Sequence, residues 1–217
     1  MNYWLLDPTG NITALAEGPA SKAAADEIMK IEPTCEQVGF ISEGIEDCAI
    51  TLEMTGGEFC GNAAMSAALL AVPDGGKTKV FFKGTGPVEV LIKDGKGTVT
   101  MPRPLEITQR HGFPLVRFGG IDHMIIESAP DATAENIRSW CENDALGMMF
   151  LEGDKMTPLV YVKGADTLFW ESTCASGTCA VGEYLGRPVS LREPAGTLHY
   201  EDGKLTGTVR LIKKGRF

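Results

Sequence analysis

The chain contains itself twice. Four blocks in its first half recur, in the same order, about 110 residues further on. That spacing is too long for a solenoid repeat and suits a duplicated domain. The first pair is Asp7-Pro8-Thr9-Gly10-Asn11-Ile12-Thr13 running to Glu17, and Phe118-Gly119-Gly120-Ile121-Asp122-His123 running to Glu127. Each is a glycine turn feeding an apolar strand that ends in glutamate. Helical patterns follow, Ser21 to Lys30 and Thr133 to Cys141, with Ser21 and Thr133 as N-caps. Short buried strands come next: Gln37 to Ser42 and Ala49 to Met54 in one half, Ala145 to Leu151 and Pro158 to Val162 in the other. The third pair carries cysteines. Phe59-Cys60-Gly61-Asn62-Ala63 lines up with Thr173-Cys174-Ala175-Ser176-Gly177, and small or apolar residues continue to Leu70 and Leu185. The fourth pair is a strand-and-turn region, with hairpin signals at Asp94-Gly95 and Asp202-Gly203.

The repeat restricts the fold to an α/β (α+β) architecture of two duplicated domains. Each has strands wrapped around one central helix, and a pseudo-twofold axis relates them. The polar, proline-marked stretch Pro102-Arg103-Pro104 is the linker. Residues 1–105 are expected to form the N-terminal domain, with the last strand, 207–217, a candidate to join it, and residues 106–206 the C-terminal one. Equivalent positions then meet across the interdomain cleft, which sets Cys60 opposite Cys174.

Each cysteine stands at the start of an apolar helix. Such an end offers unpaired N–H groups and a partial positive charge, which favour a thiolate and hold an anion. Two thiols on opposite walls suit one reaction class. One takes a proton from a carbon, the other returns a proton to the opposite face, and the configuration inverts. N–H groups of Gly61, Asn62, Ala175 and Ser176 would stabilise the enolate-like carboxylate that develops. Two plainer readings stand beside this one: a structural or redox disulfide, and inert core cysteines under a binding cleft.

Composition excludes other classes. A net charge of −9 argues against a phosphate-tracking nucleic-acid binder. No apolar run approaches the ~18 residues of a membrane span, and Met1 to Pro8 lacks the pattern of a signal peptide. A cytoplasmic protein is expected, with its six cysteines (Cys35, Cys48, Cys60, Cys141, Cys174, Cys179) mostly reduced. Zinc-site spacing is absent, so no metal is expected.

At these residues the chain resembles the diaminopimelate epimerase superfamily of cofactor-independent two-cysteine racemases and epimerases. Cys60-Gly61-Asn62 and Cys174-Ala175-Ser176-Gly177-Thr178-Cys179-Ala180 look like its two catalytic motifs. Within it, Asp7 to Asn11, Cys35-Glu36-Gln37-Val38-Gly39-Phe40-Ile41, Gly57 to Ala63 and Leu168 to Cys174 are similar to the histidine racemase of staphylopine-type metallophore synthesis. The resemblance implies an amino-acid racemase or epimerase without a cofactor, with Cys60 and Cys174 as acid and base. It suggests Asn11 and Asn62 for the substrate's amino group, Glu36 for an imidazole or other basic side chain, and His123 and Glu171 as further contacts. A homodimer is common in that superfamily.

The departures bear on the substrate. Ser172 stands where diaminopimelate epimerases carry an arginine for a second carboxylate, and Ile121 replaces a substrate-binding asparagine. Histidine or a related polar amino acid is therefore the leading substrate, with diaminopimelate second. A phenazine-biosynthesis-type isomerase, which has a carboxylate in place of the first cysteine, and a non-catalytic amino-acid-binding protein on the same fold remain the alternatives.

Overall fold

A computed structural model describes residues 1–128 and 132–216, without the side chains of residues 132 and 133. The first half runs β1 (Asn2–Pro8), β2 (Thr13–Glu17), α1 (Lys22–Ile31), β3 (Gln37–Glu43), β4 (Ile50–Met54), α2 (Gly61–Ala71), β5 (Gly76–Phe82), β6 (Gly86–Lys93) and β7 (Lys96–Thr100). The hairpin β8 (Glu106–Arg110) and β9 (Phe113–Arg117) opens the second half. It continues through β10 (Ile121–Ile126), a 3-10 turn (Ala132–Asn136), α3 (Ile137–Trp140), β11 (Ala145–Glu152), β12 (Lys155–Val162), β13 (Thr167–Trp170), α4 (Ala175–Leu185), β14 (Val189–Glu193), β15 (Gly196–Glu201) and β16 (Lys204–Arg216).

The chain is the duplicated α/β fold expected from its repeat. In the first half, neighbouring strands pair in the order β1 to β7, and β16 pairs with both β7 and β1. The strands therefore close into a ring around α2. β16 also pairs with β15, which continues through β14, β12, β11, β10 and β9 to β8 around α4. One 13-residue strand is thus common to both halves. The parallel pairs β2–β3 and β10–β11 occupy equivalent places, and a helical segment connects the strands of each pair.

Local chemistry accounts for these elements. Ser21 caps α1, its Oγ accepting the N–H of Ala24 at 3.3 Å. The Thr133 cap expected for the second helical segment falls on a side chain outside the described residues. Asp94-Gly95 and Asp202-Gly203 both turn with positive φ at the two positions, as a two-residue hairpin requires. Gly61 to Ala68 of α2 are all buried, and so are Ala175 to Gly182 of α4. A helix enclosed on every side must be apolar all round, and its small residues let the strands close over it. One core joins both helices to the surrounding strands; smaller clusters lie under α1 and α3. Among the described residues no helix is long and apolar enough to cross a membrane, and no three His, Cys, Asp or Glu side chains are grouped for a metal ion.

Candidate active site

The first turns of α2 and α4 meet. A Cβ placed on Gly61 would stand 2.9 Å from the Cβ of Ala175. Each helix has a cysteine as its N-cap in extended backbone, Cys60 (φ −133°, ψ 111°) and Cys174 (φ −125°, ψ 103°). Both thiols are free, and both line one pocket between the halves. Gly61, Asn62, Ala175 and Ser176 line it as well, so the N–H groups of two helix starts border the same space. Apolar walls come from Phe59, Ile121, Val160, Val162 and Phe169, and four carboxyls, Asp26, Glu36, Glu58 and Glu171, also line it.

The two thiols have different surroundings. The Cys60 sulfur accepts the N–H of Ala63 at 3.4 Å and donates to Gln37 Oε1 at 3.2 Å. Cys174 is held by a carboxyl from behind: its N–H donates to Glu193 Oε2 at 2.6 Å, while Thr178 Oγ1 donates to Glu193 Oε1 at 2.7 Å. Its thiol lies near Glu171 and 3.8 Å from Ser176 Oγ. Glu193 ends β14, where it pairs with Gly196; the residue that ends β5 and pairs with Gly86 is Phe82. The place that holds a carboxyl behind α4 holds a phenyl ring behind α2, packed 4.9 Å from the ring of Phe59.

Burial pushes the Cys60 thiol up to about 12, and the nearby Glu171 and Glu58 raise it further. Burial and then Glu171 and Glu193 hold Cys174 well above the usual thiol value. The sequence reading expects the helix ends to bring both thiols towards neutrality. In the ligand-free pocket, desolvation and the surrounding carboxyls outweigh the helix ends. Burial likewise raises Glu58 to about 7 and Glu171 and Glu193 to about 8. It raises Glu36 too, against the opposing hydrogen bond from Ser172.

A pH dependence of stability follows. These carboxyls titrate higher in the folded chain than in the unfolded one, so the folded state binds more protons between the two values. Stability is then expected to fall as pH rises from about 4.5 towards 8. Thermal melting across pH 5 to 9 checks this. Glu193→Gln should flatten the decline, and a melting temperature that climbs from pH 5 to pH 8 would contradict it.

The expected site residues divide into three groups. Cys60, Cys174, Glu36, Gly61, Asn62, Glu171, Ala175 and Ser176 all line the pocket. Asn11 sits behind it, fully buried. Its Nδ2 donates to Glu36 Oε2 at 3.1 Å and to Thr173 O at 3.0 Å, and its Oδ1 accepts from Gln37 and Thr13. With its amide engaged on both ends, it orders the wall rather than meeting a ligand. His123 lies in the core on β10, fully buried and edge-on to Phe118 at 6.0 Å. A Cβ on Gly147 would come 2.5 Å from its Nδ1. Burial lowers it to about 3, so it is a neutral packing group away from the pocket lining.

Glu36 and Thr173 tie the halves together at the site. Glu36 Oε2 accepts the Ser172 N–H at 3.0 Å, and the Thr173 carbonyl accepts Asn11 Nδ2 and Asn62 Nδ2, the latter at 3.1 Å. Sequence reasoning missed Gln37, Glu58, Thr173 and Glu193. Glu58 stands inside the first cysteine motif and Gln37 beside Glu36, so proximity was a usable signal for both. Nothing local marks Glu193, which reaches the site through the β14 turn.

Comparisons with known proteins agree with this architecture. Residues 1–204 match the family model described as the N-terminal domain of histidine racemase CntK. A histidine racemase of Fusobacterium nucleatum is 32% identical over 259 aligned residues, covering 100% of this chain and 96% of that one. One of Staphylococcus aureus is 29% identical over 214, covering 82% and 77%. In fold, the chain resembles the structure of a predicted epimerase from Pseudomonas aeruginosa, with a TM-score of 0.68, 14% identity and coverage of 100% and 98%.

Proposed function

Because this chain belongs to the histidine racemase family of the diaminopimelate-epimerase-like superfamily, a group of cofactor-independent isomerases, we propose that it racemises histidine with Cys60 and Cys174 as the two proton-transfer groups. The observation that carries this reading is the meeting of the two cysteine-capped helix starts in one pocket.

The amino acid's α-carboxylate sits against the N–H groups of Gly61, Asn62, Ala175 and Ser176. These donors strengthen their hold as negative charge builds on that carboxylate during α-proton removal. The ammonium faces Asn62 Oδ1, a buried oxygen that has no partner. One thiolate takes the α-proton, and the opposite thiol gives its own proton to the other face of the same carbon. The second sulfur is left as thiolate, ready for the reverse turnover. Raised thiol pKa values fit the task once substrate is bound. The ammonium brings positive charge into a pocket of carboxyls, which eases ionisation of a thiol. It also makes the α-proton more acidic. Racemisation of one amino acid needs no net proton from solvent.

The test is a single enantiomer of histidine in heavy water with reduced protein. Incorporation of α-deuterium together with loss of optical rotation is expected. Histidine that keeps both its α-proton and its rotation would remove the reading.

A further inference from the structure

Among the described residues, one carboxylate oxygen is buried without a hydrogen bond of ordinary geometry, Oε2 of Glu58, although the backbone N–H groups of Gly56 and Glu58 stand near that carboxyl. Glu58 is 9% exposed and lines the pocket between the two cysteines. Its carboxyl lies close to Gly56, where an added Cβ would stand 2.5 Å from Oε2 and would also meet Val162. A side chain at position 56 would collide with both, so glycine is what lets this carboxyl pack against the backbone there. Buried acceptors in folded proteins are almost always satisfied, so an orphan acceptor in a ligand pocket points to a donor supplied by the ligand.

The other carboxyls around the site are otherwise engaged. Asp26 pairs with Lys22 at 3.1 Å, both also in the pocket lining. Glu36 Oε2 accepts from Asn11 and from the Ser172 N–H, and so spans the two halves. Glu171 stands near the thiol of Cys174, whose pKa it raises. Glu193 accepts from Cys174 N and Thr178 Oγ1 behind α4 and does not line the pocket. The sequence reading gave Glu36 the substrate's side chain, and these contacts turn attention to Glu58. The helix starts provide N–H donors for a carboxylate, and Asn62 Oδ1 provides an acceptor for an α-ammonium. Once those two are assigned, the orphan oxygen is left for the third part of the molecule.

We infer that Glu58 reads the substrate's side chain, its free oxygen accepting a hydrogen bond from an N–H at the far end of the amino acid. The assignment rests on the racemase reading above and deepens it. It makes the pocket selective for side chains that carry such a donor, an imidazole N–H first among them. Discrimination of this kind is large. A site built to hydrogen-bond a ligand group rejects the analogue that lacks it by about 10⁴-fold, because the buried partner is then stranded.

The experiment compares histidine with β-(2-thienyl)alanine, a five-membered ring of similar size without an N–H. The kcat/KM for α-deuterium incorporation is measured for both in wild type, Glu58→Met and Glu58→Gln. Methionine keeps the length and removes the acceptor, and replacing a buried carboxyl with an apolar group of like shape is tolerated by the fold. Glutamine keeps an acceptor. The wild type is expected to prefer histidine by about 10³-fold or more. Glu58→Met should lose about 10²-fold on histidine and little on thienylalanine, cutting the preference by the same factor, and Glu58→Gln should recover at least part of it. If Glu58→Met loses activity equally on both substrates, or on neither, the assignment is wrong. Should Glu58→Met not fold, Glu58→Leu, which also removes the acceptor, takes its place in the same comparison: a histidine preference that it leaves unchanged counts against Glu58. Wild-type protein that exchanges no histidine α-proton overturns the racemase reading itself, and this assignment with it, which is a separate outcome from a Glu58 variant that keeps its discrimination.

Discussion

Cys60→Ser and Cys174→Ser are each expected to lower kcat/KM for histidine racemisation by at least about 10³-fold, at the upper end of what one positioned acid or base contributes. Serine keeps the size of the side chain but holds its proton far more tightly than a thiol, so it neither ionises at neutral pH nor passes a proton on readily. The effect on stability should run the other way at position 60. Serine is among the preferred N-cap residues, and the Cys60 sulfur already fills that role weakly, accepting the Ala63 N–H at 3.4 Å. Cys60→Ser should therefore melt no lower than the parent while losing its activity. A cysteine retained where a better cap is available marks a residue kept for reactivity rather than folding. Racemisation by either variant within tenfold of the parent would sink the two-thiol mechanism.

Gly61→Ala should cost about 10²-fold in kcat, because a small misplacement of reacting groups is amplified steeply in rate. The added Cβ would stand 2.9 Å from that of Ala175 and 3.3 Å from Met101 Sδ. Methionine can give way, but Ala175 opens the second helix and cannot move without carrying Cys174 along. The cleft must widen by part of an ångström at the point where the two thiols have to reach one carbon. Ala175→Gly restores the space, so the double variant should regain most of the lost rate, a coupling that a double-mutant cycle reads directly. If Gly61→Ala stays within threefold of the parent, or Ala175→Gly fails to rescue it, the contact between helix starts does not set the geometry.

Much of this architecture was legible because its signals are local. Asp94-Gly95 and Asp202-Gly203 specify their own turns, and the uncharged run after each cysteine specifies an enclosed helix. The repeat then supplied what no single stretch contains, the juxtaposition of Cys60 with Cys174. What escaped depends on surroundings. Cys60 at a helix start reads as an acidified thiol, and only the folded site shows that burial and Glu58 and Glu171 reverse the direction. Asn11 reads as a ligand group, but Gln37, Thr13, Glu36 and Thr173 use up its amide. His123 lies on β10, a strand buried along its whole length; Ile121 at its start reaches the pocket lining, and His123 does not. Leu168 to Trp170, a resemblance motif in sequence, proves to be the edge strand β13, which pairs with β12 and sets Phe169 and Glu171 in the pocket wall.

Under the proposed racemisation, the carboxyl behind α4, with a phenyl ring at the equivalent place behind α2, has a kinetic consequence. Mirror-image forms of one amino acid have equal free energies, so the equilibrium constant between them is unity. However unequal the two thiols are made, kcat/KM must be the same for both enantiomers. The asymmetry at Glu193 and Phe82 can appear only as a matched pair of differences, the enantiomer bound more tightly being turned over more slowly in the same ratio. The two halves of the chain have diverged in chemistry under a constraint that holds the two directions of the reaction in exact balance.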